Sequence, residues 1–250
     1  LRAALEQSVN VIAVNLLQEV GIAKLIELAR ALGIRSPLAA DLTLALGSSA
    51  VTPLEMTVAY ATIANGGTWV QPSIYTTVKT TTGQVLEQPA AQSRQVADPR
   101  ATVLLVDVLT GVLTRGTAAR QGIARPAAGK TGTTSDFRDA WFVGFVPQLC
   151  VAVWVGNDDR RPMRQGAFGG RIAARIWHDL MSTGTRQWPV LPLPAPEYST
   201  PAASPTNLVI PFTKPPVAGT GSSLTLPGAA TASDFLPVKL PAVVVSPNAS

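Results

Sequence analysis

The stretch AAGKTGTTSDF, residues 127–137, contains one lysine, two glycines and four hydroxyl-bearing residues. Two short apolar runs, DAWFVGFV and LCVAVWVG, follow it and are separated only by Pro147 and Gln148. Both runs are rich in valine and aromatic residues, which is typical of neighbouring buried strands. If the quoted stretch is also a strand, Lys130 and Gly132 share one face and Thr131 points to the other.

Helical patterns flank these strands on both sides. The clearest helix start is TPLE, where Thr52 is the predicted N-cap, Pro53 the first helical residue and Glu55 the partner in a capping box. Further predicted elements are two successive helices in residues 1–32, a hairpin of residues 74–80 and 84–87, a helix from Asp98-Pro99 to near Gly116, and a helix over residues 170–181. This arrangement predicts an α/β (α+β) fold in which helices sandwich an antiparallel β-sheet.

Proline usage divides the chain into two parts. Residues 189–250 hold 13 of the 21 prolines and only four charged residues. Proline removes a backbone donor and fixes φ, so such a segment does not form regular helix or sheet. We therefore expect a folded domain over residues 1–188 and a largely irregular Pro/Ala/Ser-rich tail over residues 189–250.

Composition narrows the possible functions. The net charge of +5 lies in the predicted domain, because the four charges of the tail cancel. No basic patch interleaved with aromatic residues and no zinc-finger spacing is present, so we expect no nucleic-acid partner. A single cysteine and a single histidine exclude an internal disulfide and a His-rich metal site. We expect neither a metal nor a cofactor.

Two other readings of the chemistry fit the sequence poorly. A phosphate-binding loop needs glycine where Ala124 stands, and it needs a helix rather than a strand after Lys130. A Ser-His-Asp triad would have to use His178, which lies on the last predicted helix, far in sequence from the glycine-rich loops.

A second motif near the start of the chain supports a catalytic reading of Lys130. Ser8-Val9-Asn10 has S-x-N spacing and lies at a predicted junction between loop and helix. Ser8 is also a candidate N-cap of the following helix, a common role for serine. The two motifs occur in the order that penicillin-recognising serine acyl-enzymes require, with the S-x-N motif before K-T-G.

Four segments together resemble the transpeptidase domain of class A (bifunctional) penicillin-binding proteins, in the penicillin-binding and serine β-lactamase superfamily. They are SVNVIAVNLLQEVG, LGSSAVTPLEMTVAYATIANGG, AAGKTGTTSDFRDAWFVGFVPQLCVAVWVGNDD and GGRIAARIWHDLM. The resemblance covers roughly residues 1–188, and the Pro-rich tail is similar to the variable C-terminal extensions of that family.

The resemblance implies a serine D,D-transpeptidase that cross-links peptidoglycan stem peptides ending in D-Ala-D-Ala and that β-lactams acylate. Ser8 would relay a proton between the leaving amine and the base, and Asn10 would bind the substrate backbone. Lys130 would anchor the terminal carboxylate and support Ser8. Thr131 and Thr133 would bind that carboxylate or line the cleft beside Gly132, with the Thr133 N–H forming half of the oxyanion hole.

One departure from the family pattern is decisive for mechanism. No serine among the 250 residues is followed three positions later by lysine, so the S-x-x-K nucleophile and base are missing. We expect them upstream of Leu1, together with a membrane anchor, and we expect the chain alone to be inactive. Any glycosyltransferase activity of the parent protein would belong to a separate upstream domain, whose presence these residues do not reveal.

The parent protein would then act with the cell-wall synthesis machinery at the extracytoplasmic (periplasmic) side of the cytoplasmic membrane. A D,D-carboxypeptidase or β-lactamase-like hydrolase, and a non-catalytic penicillin-recognising sensor or scaffold, remain alternatives.

Overall fold

A computed structural model describes residues 1–90, 92–163 and 166–196. The helices are α1 Arg2–Glu6, α2 Asn10–Val20, α3 Ile22–Ala31, α4 Pro53–Ala64, α5 Pro99–Thr114 and α6 Ala173–Gly184, with a 3₁₀ turn at Leu42–Leu46. The strands are β1 Thr68–Val70, β2 Val78–Lys79, β3 Val85–Glu87, β4 Ser93–Gln95, β5 Ala128–Thr133, β6 Asp139–Val146 and β7 Leu149–Gly156. The described part of the chain contains no helix of the length and apolar character that a membrane crossing requires.

The central sheet is antiparallel, with strand order β5-β6-β7. Helix α4 packs on the face that carries Cys150, whose Sγ lies 3.6 Å from the carbonyl oxygen of Thr57. Helix α6 packs on the other face, where Trp177 Nε1 donates to the Gly144 carbonyl at 3.0 Å. The predicted antiparallel sheet between helices is therefore confirmed, and among the described residues β5 is one of its two edge strands.

The core explains why the two apolar runs form buried strands. Phe142, Phe145 and Trp177 are fully buried, and the Phe142 and Trp177 rings meet edge to face with centroids 5.0 Å apart. Gly144 lies beneath these rings, because a Cβ there would come within 2.6 Å of Phe142. A glycine at this position lets α6 approach the sheet closely.

The predicted capping box is confirmed. The Thr52 side chain accepts from the Glu55 N–H, the Glu55 carboxylate accepts from the Thr52 N–H, and Pro53 opens α4. The hairpin β2–β3 is shorter than predicted. Two features were not predicted from the sequence, the 3₁₀ turn and the pairing of β1 with β4.

The prediction of two helices over residues 1–32 was wrong. The chain breaks at residues 7–9 as well as at Gly21, which gives α1, α2 and α3. The last helix begins and ends about three residues later than predicted, at Ala173 and Gly184.

Of the predicted tail, residues 197–250 lie outside the described residues. Residues 189–196 form neither helix nor strand, and Leu193 packs against the core.

Candidate active site

Ser8 and Lys130 meet although 122 positions separate them in the sequence. The Lys130 Nζ donates a hydrogen bond to Ser8 Oγ at 2.8 Å. It also lies 3.1 Å from the carbonyl oxygen of Thr131. Register pairs Lys130 with Val143 and Val143 with Ala152, which puts the Lys130 side chain on the α4 side of the sheet.

Ser8 is not the N-cap that the sequence allowed. Val9 occupies the N-cap position of α2, and no side chain caps that helix. Ser8 instead follows the C-cap of α1 in a left-handed conformation, with φ of 55°. The Ser8 N–H bonds to the Leu5 carbonyl at 3.2 Å and the Val9 N–H to the Ala4 carbonyl at 2.9 Å. These two bonds form a Schellman motif, in which the Ser8 position ordinarily favours glycine.

The Lys130 ammonium is largely removed from water. Burial lowers the pKa of Lys130 from 10.5 to about 8, because desolvation disfavours the charged form. With that pKa roughly a tenth of the amine is neutral at pH 7. The group can therefore hold an anion as a cation and, in its neutral form, accept a proton through Ser8 Oγ.

The backbone of β5 presents hydrogen-bond donors at the open edge of the sheet. The Thr134 N–H bonds to the Asp139 carbonyl at 3.1 Å, toward β6. Successive residues of a strand direct their backbone groups to alternate sides, so the Thr133 N–H faces away from β6. No strand among the described residues covers that edge.

The side chains of the predicted carboxylate-binding residues divide between the two faces. Thr131 Oγ1 lies 2.7 Å from Thr117 Oγ1, and register places Thr131 opposite Phe142 on the α6 face. Thr133 Oγ1 accepts from the Gly169 N–H at 2.9 Å on the same side. Both hydroxyls therefore hold β5 in place from the α6 face, opposite the face that carries Lys130.

Gly132 and Asn10 complete the predicted set. Gly132 shares the face of Lys130, and a Cβ there would lie 3.1 Å from Trp141 Cβ, so glycine lets β5 lie close to Trp141. Asn10 is the first residue of α2, two positions after Ser8, and is exposed. The structure thus brings Ser8 and Lys130 together beside the open edge of β5, and Asn10 stands two positions after Ser8 in the chain.

The sequence did not predict the residues that hold Ser8 and β5 in place. Glu6, Arg115 and Thr117 connect the end of α1 to the segment that follows α5, and Gly169 supports β5. The sequence around Glu6 does not reveal that this glutamate is buried, because its partner Arg115 lies 109 positions away.

The alternative readings do not fit this geometry. Gly129, Lys130 and Thr131 lie inside β5, so they do not form a loop that leads into a helix. His178 lies on α6, on the opposite side of the sheet from Lys130, with Nδ1 3.4 Å from the Gln121 carbonyl. No group of three or more metal-ligating side chains occurs among the described residues.

Residues 1–182 match the penicillin binding protein transpeptidase domain. The chain belongs to this transpeptidase family. Penicillin-binding protein 1A of Aquifex aeolicus is 42% identical over 190 residues, which make up 76% of this chain and 26% of that protein. Penicillin-binding protein 1A of Neisseria gonorrhoeae is 35% identical over 189 residues, 72% of this chain and 24% of that protein. The transpeptidase-family chain thus spans about a quarter of the length of these curated relatives.

Solved structures agree with the family. The crystal structure of penicillin-binding protein 1A from Haemophilus influenzae is similar with a TM-score of 0.70 at 26% identity, covering 78% of this chain and 36% of that one. The PonA1 protein of Mycobacterium tuberculosis, solved in complex with penicillin V, shares the fold with a TM-score of 0.71 at 24% identity, covering 79% and 59%. The class A penicillin-binding transpeptidase resemblance is therefore confirmed.

The left-handed conformation of Ser8 predicts that this serine lowers the stability of the fold while it supplies a hydroxyl to the site. We expect Ser8→Gly to raise the free energy of unfolding by about 1 kcal/mol relative to Ser8→Ala, because only glycine adopts this φ without steric cost. Both variants lack the hydroxyl, so its loss cancels in the comparison. Urea denaturation of the two variants measures the difference, and equal stability would contradict the strain at Ser8.

The buried ammonium of Lys130 predicts a pH-dependent stability. In the unfolded chain this lysine titrates near 10.5, and in the folded chain near 8. The desolvation cost is therefore complete below pH 8 and is relieved as the pH rises from 8 to 10.5. Over that window we expect the stability of wild type relative to Lys130→Met to rise by about 1–3 kcal/mol. Comparing denaturation of the two proteins cancels other titrations, and a flat difference would contradict the lowered pKa.

Proposed function

We propose that the chain forms the carboxylate-binding and oxyanion-binding wall of a peptidoglycan D,D-transpeptidase. Its substrates are stem peptides that end in D-Ala-D-Ala, and β-lactams acylate it as mimics of that terminus. The observation that carries the proposal is the contact of Lys130 Nζ with Ser8 Oγ at 2.8 Å beside the open edge of β5. The structure of PonA1 in complex with penicillin V supports the β-lactam part.

The proposed reaction has two steps through an acyl-enzyme. A serine hydroxyl attacks the carbonyl of the penultimate D-Ala, and the bond from that carbonyl to the terminal D-Ala nitrogen breaks. The proton from the nucleophile reaches the leaving amine by way of Ser8 Oγ, and free D-Ala departs. An amine of a neighbouring stem peptide then attacks the ester, which forms the cross-link and returns the serine hydroxyl.

Lys130 has two tasks in this scheme. Its positive charge attracts the carboxylate of the terminal D-Ala, an interaction that is strengthened where water is excluded. Its hydrogen bond fixes the Ser8 hydroxyl between the nucleophile and the leaving nitrogen. The lowered pKa brings the amine closer to the pH at which proton transfer through Ser8 is efficient. Asn10, two residues further along, would bind the substrate backbone.

The open edge of β5 supplies the oxyanion donor. When the tetrahedral intermediate forms, negative charge develops on the carbonyl oxygen of the scissile bond. The Thr133 N–H faces the open edge and is held by the strand, so it needs no rearrangement to bind that charge. A substrate peptide lying along β5 would also find there the carbonyl oxygens of the same edge.

The proposal takes the nucleophile and its base from residues outside these 250, because no serine here has lysine at the third position after it. We further propose that residues 1–188 form one folded unit. The protein containing it would act on the extracytoplasmic side of the membrane, among the enzymes of cell-wall synthesis. The chain alone would take no covalent label from a fluorescent penicillin.

Thr133 variants test the proposed oxyanion donor in the longer protein that contains the S-x-x-K serine. Thr133→Pro removes the N–H at an edge position that tolerates proline, and we expect acylation by a fluorescent penicillin to slow about 100-fold or more. Thr133→Val is the matched control. It keeps the N–H, loses only the hydroxyl that binds the Gly169 N–H, and should slow acylation far less.

The outcomes separate the parts of the proposal. Equal rates for the proline and valine variants would exclude the Thr133 N–H as an oxyanion donor. An unlabelled longer protein would overturn the assigned activity. A covalent band on the 250-residue chain itself would show that the nucleophile lies within it.

A further inference from the structure

The end of α1 is fastened to the segment after α5 by a buried carboxylate. The Glu6 side chain is only 4% exposed, and it forms an ion pair with Arg115, whose side chain is 55% exposed. Arg115 Nε donates to Glu6 Oε2 at 2.8 Å, and Arg115 Nη2 donates to Glu6 Oε1. This two-point geometry fixes the orientation of the carboxylate as well as its distance.

The backbone next to Glu6 leaves space for the Glu6 carboxylate and carbonyl groups. A Cβ at Gly111 would lie 2.2 Å from Glu6 Oε1, and a Cβ at Gly116 would lie 2.4 Å from the Glu6 carbonyl oxygen. That carbonyl accepts from the Thr117 N–H at 3.2 Å. The side-chain amide of Gln7 donates to the Arg115 carbonyl at 2.9 Å. Both glycines are needed for this close approach, since any side chain there would displace the glutamate.

The same segment also holds the strand that carries Lys130. Thr117 Oγ1 lies 2.7 Å from Thr131 Oγ1, and Thr131 is the residue next to Lys130 on β5. Ser8 stands two residues after Glu6, at the end of a turn with a fixed Schellman geometry. Residues 115–117 therefore connect Glu6 and Gln7, which directly precede Ser8, with β5.

We propose that Glu6 is a positioning residue for the transpeptidase reaction. It acts through Ser8, by holding the turn of residues 7–9 so that Ser8 Oγ stays within hydrogen-bond distance of Lys130 Nζ. This inference rests on the proposed function. It extends the machinery to the pair Glu6 and Arg115, neither of which lies in a sequence motif of the site.

A stabilising role alone would leave a different signature. Loss of one partner from a buried ion pair is destabilising wherever it occurs, so a lower melting temperature does not distinguish the two roles. A residue that acts through Ser8 must lose its kinetic effect when the Ser8 hydroxyl is absent. The coupling between the two positions is therefore the decisive quantity.

The test is a double-mutant cycle of Glu6→Gln and Ser8→Ala in the longer protein. The measured quantity is the rate of acylation by a fluorescent penicillin, at a temperature where all variants remain folded. We expect Glu6→Gln to slow acylation about tenfold or more when Ser8 is present, because a displacement of about 1 Å in a catalytic group has large kinetic effects. In the Ser8→Ala background we expect Glu6→Gln to change the rate less than about threefold. Equal effects in both backgrounds would overturn the proposal.

The chain offers a matched control. Asp107 on α5 pairs with Arg2 on α1 and so joins the same two helices nearer to solvent, with the Asp107 side chain 29% exposed. Arg2 also lies 3.9 Å from Glu6 Oε1, but Asp107→Asn leaves the closer pair of Glu6 and Arg115 intact. We expect Asp107→Asn to leave the acylation rate within about twofold of wild type. Arg115→Lys keeps the charge but not the two-point geometry, and it should give an intermediate slowing even if Glu6→Gln folds poorly.

Hydrogen exchange of backbone amides in the 250-residue chain tests the positioning role of Glu6 independently of the proposed function. The Ser8 and Val9 N–H groups are bonded within the turn, and we expect Glu6→Gln to speed their hydrogen exchange about tenfold or more. Asp107→Asn should not. If the longer protein takes no penicillin label, the proposed function fails and exchange alone decides the positioning. Unchanged exchange at Ser8 and Val9 in Glu6→Gln would overturn it.

Discussion

A lysine ammonium that leaves water needs hydrogen-bond acceptors, and this requirement organises the site around Lys130. Its Nζ finds Ser8 Oγ at 2.8 Å and the Thr131 carbonyl at 3.1 Å. The first of these joins two residues that are 122 positions apart in the sequence. Desolvation by burial still lowers the pKa of Lys130 to about 8. Most of the amine remains charged at pH 7, so an anionic substrate would find a cation there.

The two faces of β5 and its open edge have different roles. Lys130 and Gly132 lie on the α4 face of β5, whereas Thr131 and Thr133 lie on the α6 face, where their hydroxyls contact Thr117 and Gly169. The backbone at the open edge provides the third direction. An edge strand is normally a liability. Under the proposed function this open edge would instead bind the substrate peptide and the oxyanion.

Local signals in the sequence were reliable where local interactions decide the structure. The capping box of Thr52 and Glu55 and the strands β6 and β7 are set by spacing and apolar runs within a few residues. The K-T-G and S-x-N motifs identified Lys130 and Ser8 in the same way. Their meeting across 122 positions was inferred from family resemblance rather than from any physical pattern.

Long-range interactions account for what the sequence did not predict. The left-handed Ser8 depends on the two hydrogen bonds that end α1, so the common role of serine as an N-cap was a misleading guide. The pairing of β1 with β4 joins Trp69 to Arg94, each on a three-residue strand with little pattern of its own. Glu6 reads as an ordinary surface glutamate of a short helix until Arg115 is placed beside it.

The most direct test of the account is a crystal structure of the longer protein acylated by penicillin. The account predicts that the ester carbonyl oxygen lies about 3 Å from the Thr133 nitrogen and that the β-lactam carboxylate lies on the Lys130 side of β5. An ester oxygen directed away from β5, with the carboxylate in solvent on the other side of the cleft, would contradict it.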